Sequence, residues 1–81
     1  MKAWFVYIVE CSDKSLYTGI TVDLDRRVLE HNTSNKGAKY TRPRRPVQLV
    51  YSEAHGDRSS ASKRESAIKK LSRSDKLTLL R

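Results

Sequence analysis

A chain of 81 residues can bury one modest core and no more, so a deep, enclosed substrate cavity is excluded and any site is expected to be a shallow groove. The formal net charge is +8 with a pI near 10, and it is unevenly spread: residues 1–35 carry 4 Lys/Arg against 5 Asp/Glu, whereas residues 36–81 carry 13 against 4. A clustered positive field favours polyanions, nucleic acid foremost, and the plain alternative is a solvated basic face.

Met1-Lys2 ahead of the apolar run Ala3–Val9 faintly resembles a secretion signal. Glu10 and Asp13 follow at once, however, and no small-residue cleavage site is present. No stretch nears the ~20 apolar residues that spanning a bilayer requires. Trp4–Val9 is an aromatic and β-branched run, the pattern of a strand buried on both faces. Cys11–Ser15 supplies turn residues, and Leu16–Thr21 reads as the returning strand of a hairpin. Alternation puts Tyr7 on one face of the first strand and Tyr17, Gly19 and Thr21 on one face of the second. Any bulge-free register pairing odd residues with odd then sets both phenols on the same face. Cys11 is the single cysteine, which leaves no internal disulfide or cysteine-based zinc site and suits a reducing, cytoplasmic setting.

A helix is expected from near Asp23, capped by Thr21 or Asp23, to about Asn32. Its inner stripe at i, i+3, i+4, i+7 reads Leu24, Arg27, Val28 and His31, so two of four inward positions are polar. Gly37–Pro46 (GAKYTRPRRP) is a basic, proline-punctuated connection, and Val47–Tyr51 is a third strand. His55, beside Gly56, reads as a loop residue, and Asp57 as the cap of a helix over Arg58–Leu71. That helix's stripe is Ala61, Arg64, Glu65, Ile68 and Leu71, again with a carboxylate facing inward. Ser74–Leu80 is a short final helix. The resulting order, β-β-α-β-α-α, predicts a single α+β domain over residues 1–81, with a three-stranded antiparallel sheet flanked by helices.

Val6-Tyr7-Ile8 and, ten residues on, Tyr17-Thr18-Gly19 resemble the paired elements of the GIY-YIG endonucleases. Arg27 and His31 sit where that family's first helix carries its arginine and histidine, and Glu65 where it carries a metal-binding glutamate. The resemblance spans nearly the whole chain. Through the GAKYTRPRRP connection and the IKKLSRSDK ending it is greatest to small stand-alone bacterial members. It implies a compact nuclease fold and metal-dependent hydrolysis of a nucleic-acid phosphodiester, with DNA, as a repair or branched intermediate, as the expected substrate. The catalytic set would be Tyr7, Tyr17, Gly19, Arg27, His31 and Glu65. Tyr7 is assigned as general base and Tyr17 as the group orienting water or phosphate, roles the family leaves interchangeable. Gly19 would let substrate backbone approach the sheet closely. Arg27 would fork onto the scissile phosphate, and His31 would donate a proton or brace Tyr7 or the phosphate. Glu65 would hold one Mg²⁺ or Mn²⁺ that keeps several waters.

Each residue also has a plain structural reading. A buried tyrosine commonly has its hydroxyl tied off, and Gly19 can mark a bulge. Arg27 can pair with Asp23, His31 can cap its helix, and Glu65 can pair with Lys69. Lys36, Lys39, Tyr40, Arg42, Arg44, Arg45, Lys69 and Lys70 are the candidate nucleic-acid contacts, with Tyr40 either stacking on a base or anchoring its loop. A Cys11–His31 nucleophile pair lacks a third group. Departures from the family pattern are Val6 at the first motif's glycine, Thr18 at the second motif's isoleucine, and no asparagine after Glu65. With no attached DNA-binding module, target choice would fall to a partner protein. The rival readings are a catalytically silent DNA-binding module of the same fold and, disfavoured by the charge, a protein–protein adaptor.

Overall fold

A computed structural model describes residues 3–80; Met1, Lys2 and Arg81, and with them the signal-like Met1-Lys2, lie outside the described residues. Three strands, β1 (Trp4–Glu10), β2 (Leu16–Thr21) and β3 (Gln48–His55), form one antiparallel sheet in the order β2-β1-β3. The helices are α1 (Leu24–Thr33), α2 (Arg58–Lys69) and α3 (Arg73–Leu79), and a 3₁₀ turn, Arg42–Arg44, interrupts the long connection. The expected α+β order is observed. No helix among the described residues is long and apolar enough to cross a membrane.

β1 is the central strand, and its continuous apolar run follows from cover on both faces: Val6, Tyr7, Ile8 and Val9 are all buried. On one face Val6 and Ile8 pack with Ala61 and Ile68 of α2, flanked by Leu79 and Leu80. On the other, Tyr7 and Val9 pack with Val47, Cys11, Leu24 and Val28, the last two from α1. The β1–β2 register pairs Phe5 with Thr21, Tyr7 with Gly19 and Val9 with Tyr17. Odd positions meet odd positions, so Tyr7 and Tyr17 share the α1 face.

The helix starts follow their caps. Asp23 accepts from the Arg26 N–H at 3.1 Å, and Thr21 Oγ1 in turn accepts from the Asp23 N–H at 3.1 Å, so the two candidate caps act in series. Asp57 accepts from the Ser60 N–H at 2.7 Å to start α2, and Ser72 starts α3. Each such cap contributes about 1 kcal/mol.

Two boundaries differ from expectation. The third strand, expected over Val47–Tyr51, continues to His55. Tyr51, Glu53 and His55 pair with Ile8, Val6 and Trp4 and therefore face α2, but the polar Glu53 and His55 erase the apolar alternation that marks a strand. Glu53 is satisfied there by His55 Nε2 at 2.6 Å and Arg64 Nε at 3.1 Å. His55 is thus a strand residue rather than a loop residue, with Nδ1 at 2.7 Å from Ser60 Oγ. The second helix stops at Lys69 instead of Leu71 because Ser72 begins α3.

Candidate functional site

Gly19 stands directly opposite Tyr7 on the neighbouring strand. A Cβ at Gly19 would lie 2.6 Å from Tyr7 Oη, so the missing side chain is the space into which the phenol leans. Gly19 therefore has a packing reason of its own, since the room left by its missing side chain is occupied by Tyr7. Leaning across β2 brings the Tyr7 hydroxyl to 2.7 Å from Nε2 of His31, on α1. Both side chains are shielded from solvent, at 1% and 0% exposure.

His31 is the last inward residue of α1, one turn after the half-buried Arg27. It does not cap the helix. Its Nδ1 lies 3.1 Å from Oγ1 of Thr41, which is itself fully buried and donates to the Ala38 carbonyl at 2.9 Å. The Tyr17 ring meets His31 edge-on with centroids 5.4 Å apart. Tyr40 stacks on Tyr17 at 6.0 Å, and the Arg44 guanidinium covers the Tyr40 ring at 4.0 Å. Of the two readings for Tyr40, the structure displays the loop anchor. Phenol, imidazole, phenol, phenol and guanidinium follow one another from the sheet outward.

Burial pushes the Tyr7 phenol up to about 12, partly offset by the adjacent Arg27 guanidinium and reinforced by the negative charge of Glu65. Burial likewise drives His31 down to about 4, helped by Arg27 and Arg45 and opposed by Glu30. Both groups are therefore neutral near pH 7. Arg27 Nη1 donates to Glu30 Oε1 and to the Lys36 carbonyl, each at 3.0 Å, so its partner is Glu30 rather than Asp23. Glu65 lies partly buried on α2 with Lys69 Nζ at 3.2 Å. The structure thus brings Tyr7, Tyr17, Arg27 and His31 together on the α1 face of the sheet, whereas Glu65 sits on α2, whose Ala61 and Ile68 pack against the opposite face.

The basic connection is turned inward more than its composition suggests. The Arg45 guanidinium donates to the carbonyls of His31, Ser34 and Glu30 and so closes the C-terminal end of α1. Arg42 donates to the Asn35 carbonyl, and Arg44 pairs with Asp13 at 3.1 Å. Lys36, Lys39 and Lys70 form no ion pair among the described residues. Burial pushes the Cys11 thiol up, which keeps it an inert core group. A cleft of about 260 Å³ opens between α1 and the end of β2, lined by Thr21, Val22, Asp23, Arg26, Arg27 and Glu30. Arg27 is its one link to the phenols.

Sequence reasoning passed over Thr41. Its signal is local: a hydroxyl three residues after Ala38, the spacing at which threonine returns to a backbone carbonyl.

Comparison with known proteins fits this geometry. The model of the GIY-YIG catalytic domain matches residues 3–78. The chain is 65% identical over 79 residues to a UPF0213 protein of Desulfotalea psychrophila, covering 98% of this chain and 72% of that one. It is 54% identical over 81 residues to a UPF0213 protein of Syntrophus aciditrophicus, covering 100% and 93%. The solution structure of a UPF0213 protein from Bacillus halodurans superimposes with a TM-score of 0.61 at 47% identity, covering 96% and 82% of the two chains. The solution structure of a protein from E. faecalis gives 0.63 at 45%, covering 94% and 80%. The chain belongs to the GIY-YIG family.

Proposed function

We propose that this member of the GIY-YIG family is a small, metal-dependent endonuclease that hydrolyses phosphodiester bonds of nucleic acid, DNA in the first instance. Family membership supports nuclease chemistry. The observation that carries the reading is the buried Tyr7–His31 hydrogen bond at 2.7 Å, set beside Tyr17 and Arg27. An inward tyrosine needs only one buried acceptor to be satisfied. A phenol, an imidazole and a guanidinium converging on one corner of the sheet serve phosphate chemistry better than core packing.

In this reading Tyr7 takes the proton of the attacking water and Tyr17 orients that water or the phosphate. Arg27 exchanges its contact with Glu30 for the scissile phosphate, where a forked guanidinium offsets the charge that builds on the equatorial oxygens. The residues fit a hard, well-hydrated cation. Glu65 offers one partly buried carboxylate, and among the described residues no group of three or more His, Cys, Asp or Glu side chains could enclose a metal. Glu65 would hold Mg²⁺ or Mn²⁺ through one bond, the remaining positions going to water and substrate, and the ion would supply charge neutralisation at the phosphate. Lys36, Lys39, Tyr40, Arg42, Arg44, Arg45, Lys69 and Lys70 are the proposed nucleic-acid contacts. Repair or branched intermediates as targets, a partner protein that selects them, and a cytoplasmic location complete the proposal.

The test is cleavage of single-stranded, duplex and branched DNA with Mg²⁺ or Mn²⁺ by the wild type, Tyr7→Phe and Glu65→Gln. Turnover in the wild type and its loss by about 100-fold or more in each variant is expected. A wild type that binds DNA with a steep salt dependence yet cuts nothing would replace the nuclease with the silent binding module.

A further inference from the structure

A phenol that takes a proton from water must dispose of its own, and the partner the structure gives the Tyr7 hydroxyl is His31 Nε2, at 2.7 Å. The hydrogen-bond chain behind it decides where that proton goes. The Thr41 hydroxyl has one proton, and its shorter contact, 2.9 Å, is to the Ala38 carbonyl, which can only accept. Toward His31 Nδ1, at 3.1 Å, Thr41 can then offer only a lone pair, so Nδ1 must carry the proton. The Ala38 N–H also points at Nδ1, but from 3.4 Å, at the limit of a useful bond. With Nδ1 protonated, Nε2 is bare, and at 2.7 Å it accepts from the Tyr7 hydroxyl. Tyr7, His31 and Thr41 are each 1% exposed or less.

We propose that Thr41 is a positioning residue that locks His31 in its Nδ1–H tautomer, so that Nε2 is the transient acceptor of the proton Tyr7 gives up when it deprotonates water. The proposal rests on the nuclease reading for its rate consequence and on the hydrogen-bond geometry alone for the tautomer. The step balances as follows. The water oxygen forms a bond to phosphorus as the bond from phosphorus to the leaving sugar oxygen breaks. The water's proton passes to Tyr7 Oη, the Tyr7 proton passes to His31 Nε2, and the leaving oxygen takes a proton from solvent. The imidazolium, pointing Nδ1–H at Thr41, then returns the Nε2 proton to Tyr7 as Tyr7 passes one to the water that replaces the product, which restores both groups and repays the proton the leaving oxygen drew from solvent. Charged groups facing this chain are Arg27 and Glu30 on α1, Arg45 from the connection and Glu65 on α2, with Tyr17 on β2 as the further titratable neighbour.

Long-range ¹H–¹⁵N NMR of the full chain reads the His31 tautomer directly and needs no substrate. The expected result is Nδ1–H in the wild type and in Thr41→Ser, with loss of that single tautomer in Thr41→Val. Cleavage with Mn²⁺ should fall about five- to tenfold in kcat in Thr41→Val, the equivalent of one hydrogen bond, with KM unchanged and Thr41→Ser near wild type. An Nε2–H tautomer in the wild type overturns the proposal even if Thr41→Val fails to fold. So does a Thr41→Val protein that keeps both tautomer and rate. Absence of cleavage by the wild type would refute the nuclease reading instead, and the tautomer measurement would still decide the chain.

Discussion

Acid should unfold this protein through His31 before it does so through the carboxylates. The imidazole is fully buried and its folded pKa is pushed from 6.5 down to about 4, chiefly by burial. The depressed value means that the unfolded chain binds the proton more readily. The stabilisation is therefore complete above pH 6.5 and is lost as pH falls from there through 4. The linkage amounts to about 2 kcal/mol by pH 5 and about 3 kcal/mol by pH 4. For a chain of this length 2 kcal/mol is a Tm drop of roughly 10 °C. Glu53, Glu30 and Asp13 have folded values held below the ordinary carboxylate range. Their own contributions to stability are lost only at lower pH, below the window from 6.5 to 5, and comparison with His31→Gln separates His31 from His55 within it. Urea unfolding of the wild type and His31→Gln across that window tests the point. The variant starts less stable, having lost the bonds to Tyr7 and Thr41, but its stability should be flat where that of the wild type slopes. Equal slopes in the two proteins would refute the assignment of the acid sensitivity to His31.

Gly19→Ala should cost about 1–3 kcal/mol by overpacking, since its Cβ would meet Tyr7 Oη at 2.6 Å. It should also shift the Tyr7 ring resonances; a variant as stable as wild type with an unmoved Tyr7 would return Gly19 to the role of a substrate approach. Thr18 Oγ1 is buried with no hydrogen-bond partner, so the near-isosteric Thr18→Val should gain about 1 kcal/mol in thermal or urea unfolding, and a loss would show that the hydroxyl is satisfied. Arg45→Ala should lose about 1–3 kcal/mol and increase amide exchange in the last turn of α1, because it strips a charged donor from three carbonyls. Unchanged exchange there would reassign Arg45 to ligand contact alone.

How much of this was legible beforehand divides along one line. Local rules placed the hairpin, both helix caps and the shared face of Tyr7 and Tyr17, because a period of two and an aspartate before a helix are properties of neighbouring residues. The family pattern, two spaced tyrosine elements followed by Arg27, His31 and Glu65, then identified the candidate site. What the sequence hid are the polar groups whose partners lie far along the chain. β3 lost its last residues to a loop because Glu53 and His55 look like surface until Arg64 and Ser60 are seen beside them. At Gly19 nothing local says that a ring from the next strand fills its space. The return of Thr41 to the Ala38 carbonyl has a local signal, but its bond to His31, ten residues away across a connection with no regular pattern, has none.

The basic connection carries that division into function. Gly37 packs so closely that a Cβ would stand 2.8 Å from the Glu30 carbonyl, and from there the chain lays Thr41 on His31, Tyr40 on Tyr17 and Arg45 on the end of α1. A stretch chosen from composition as a phosphate grip is thus also the outer wall of the candidate site. The two roles are compatible, because a guanidinium bonded to neutral carbonyls, as in Arg42 and Arg45, is occupied as a hydrogen-bond donor but not cancelled as a charge. Among the described residues, Arg44 is the one side chain of this segment that faces an acid, Asp13. The positive field therefore survives the folding of its arginines, and under the proposed function direct contact with a nucleic acid would fall first to side chains without such partners, Lys36 and Lys39. Arginine here shapes the wall and the potential together, and the lysines beside it would be the ones to meet a bound strand.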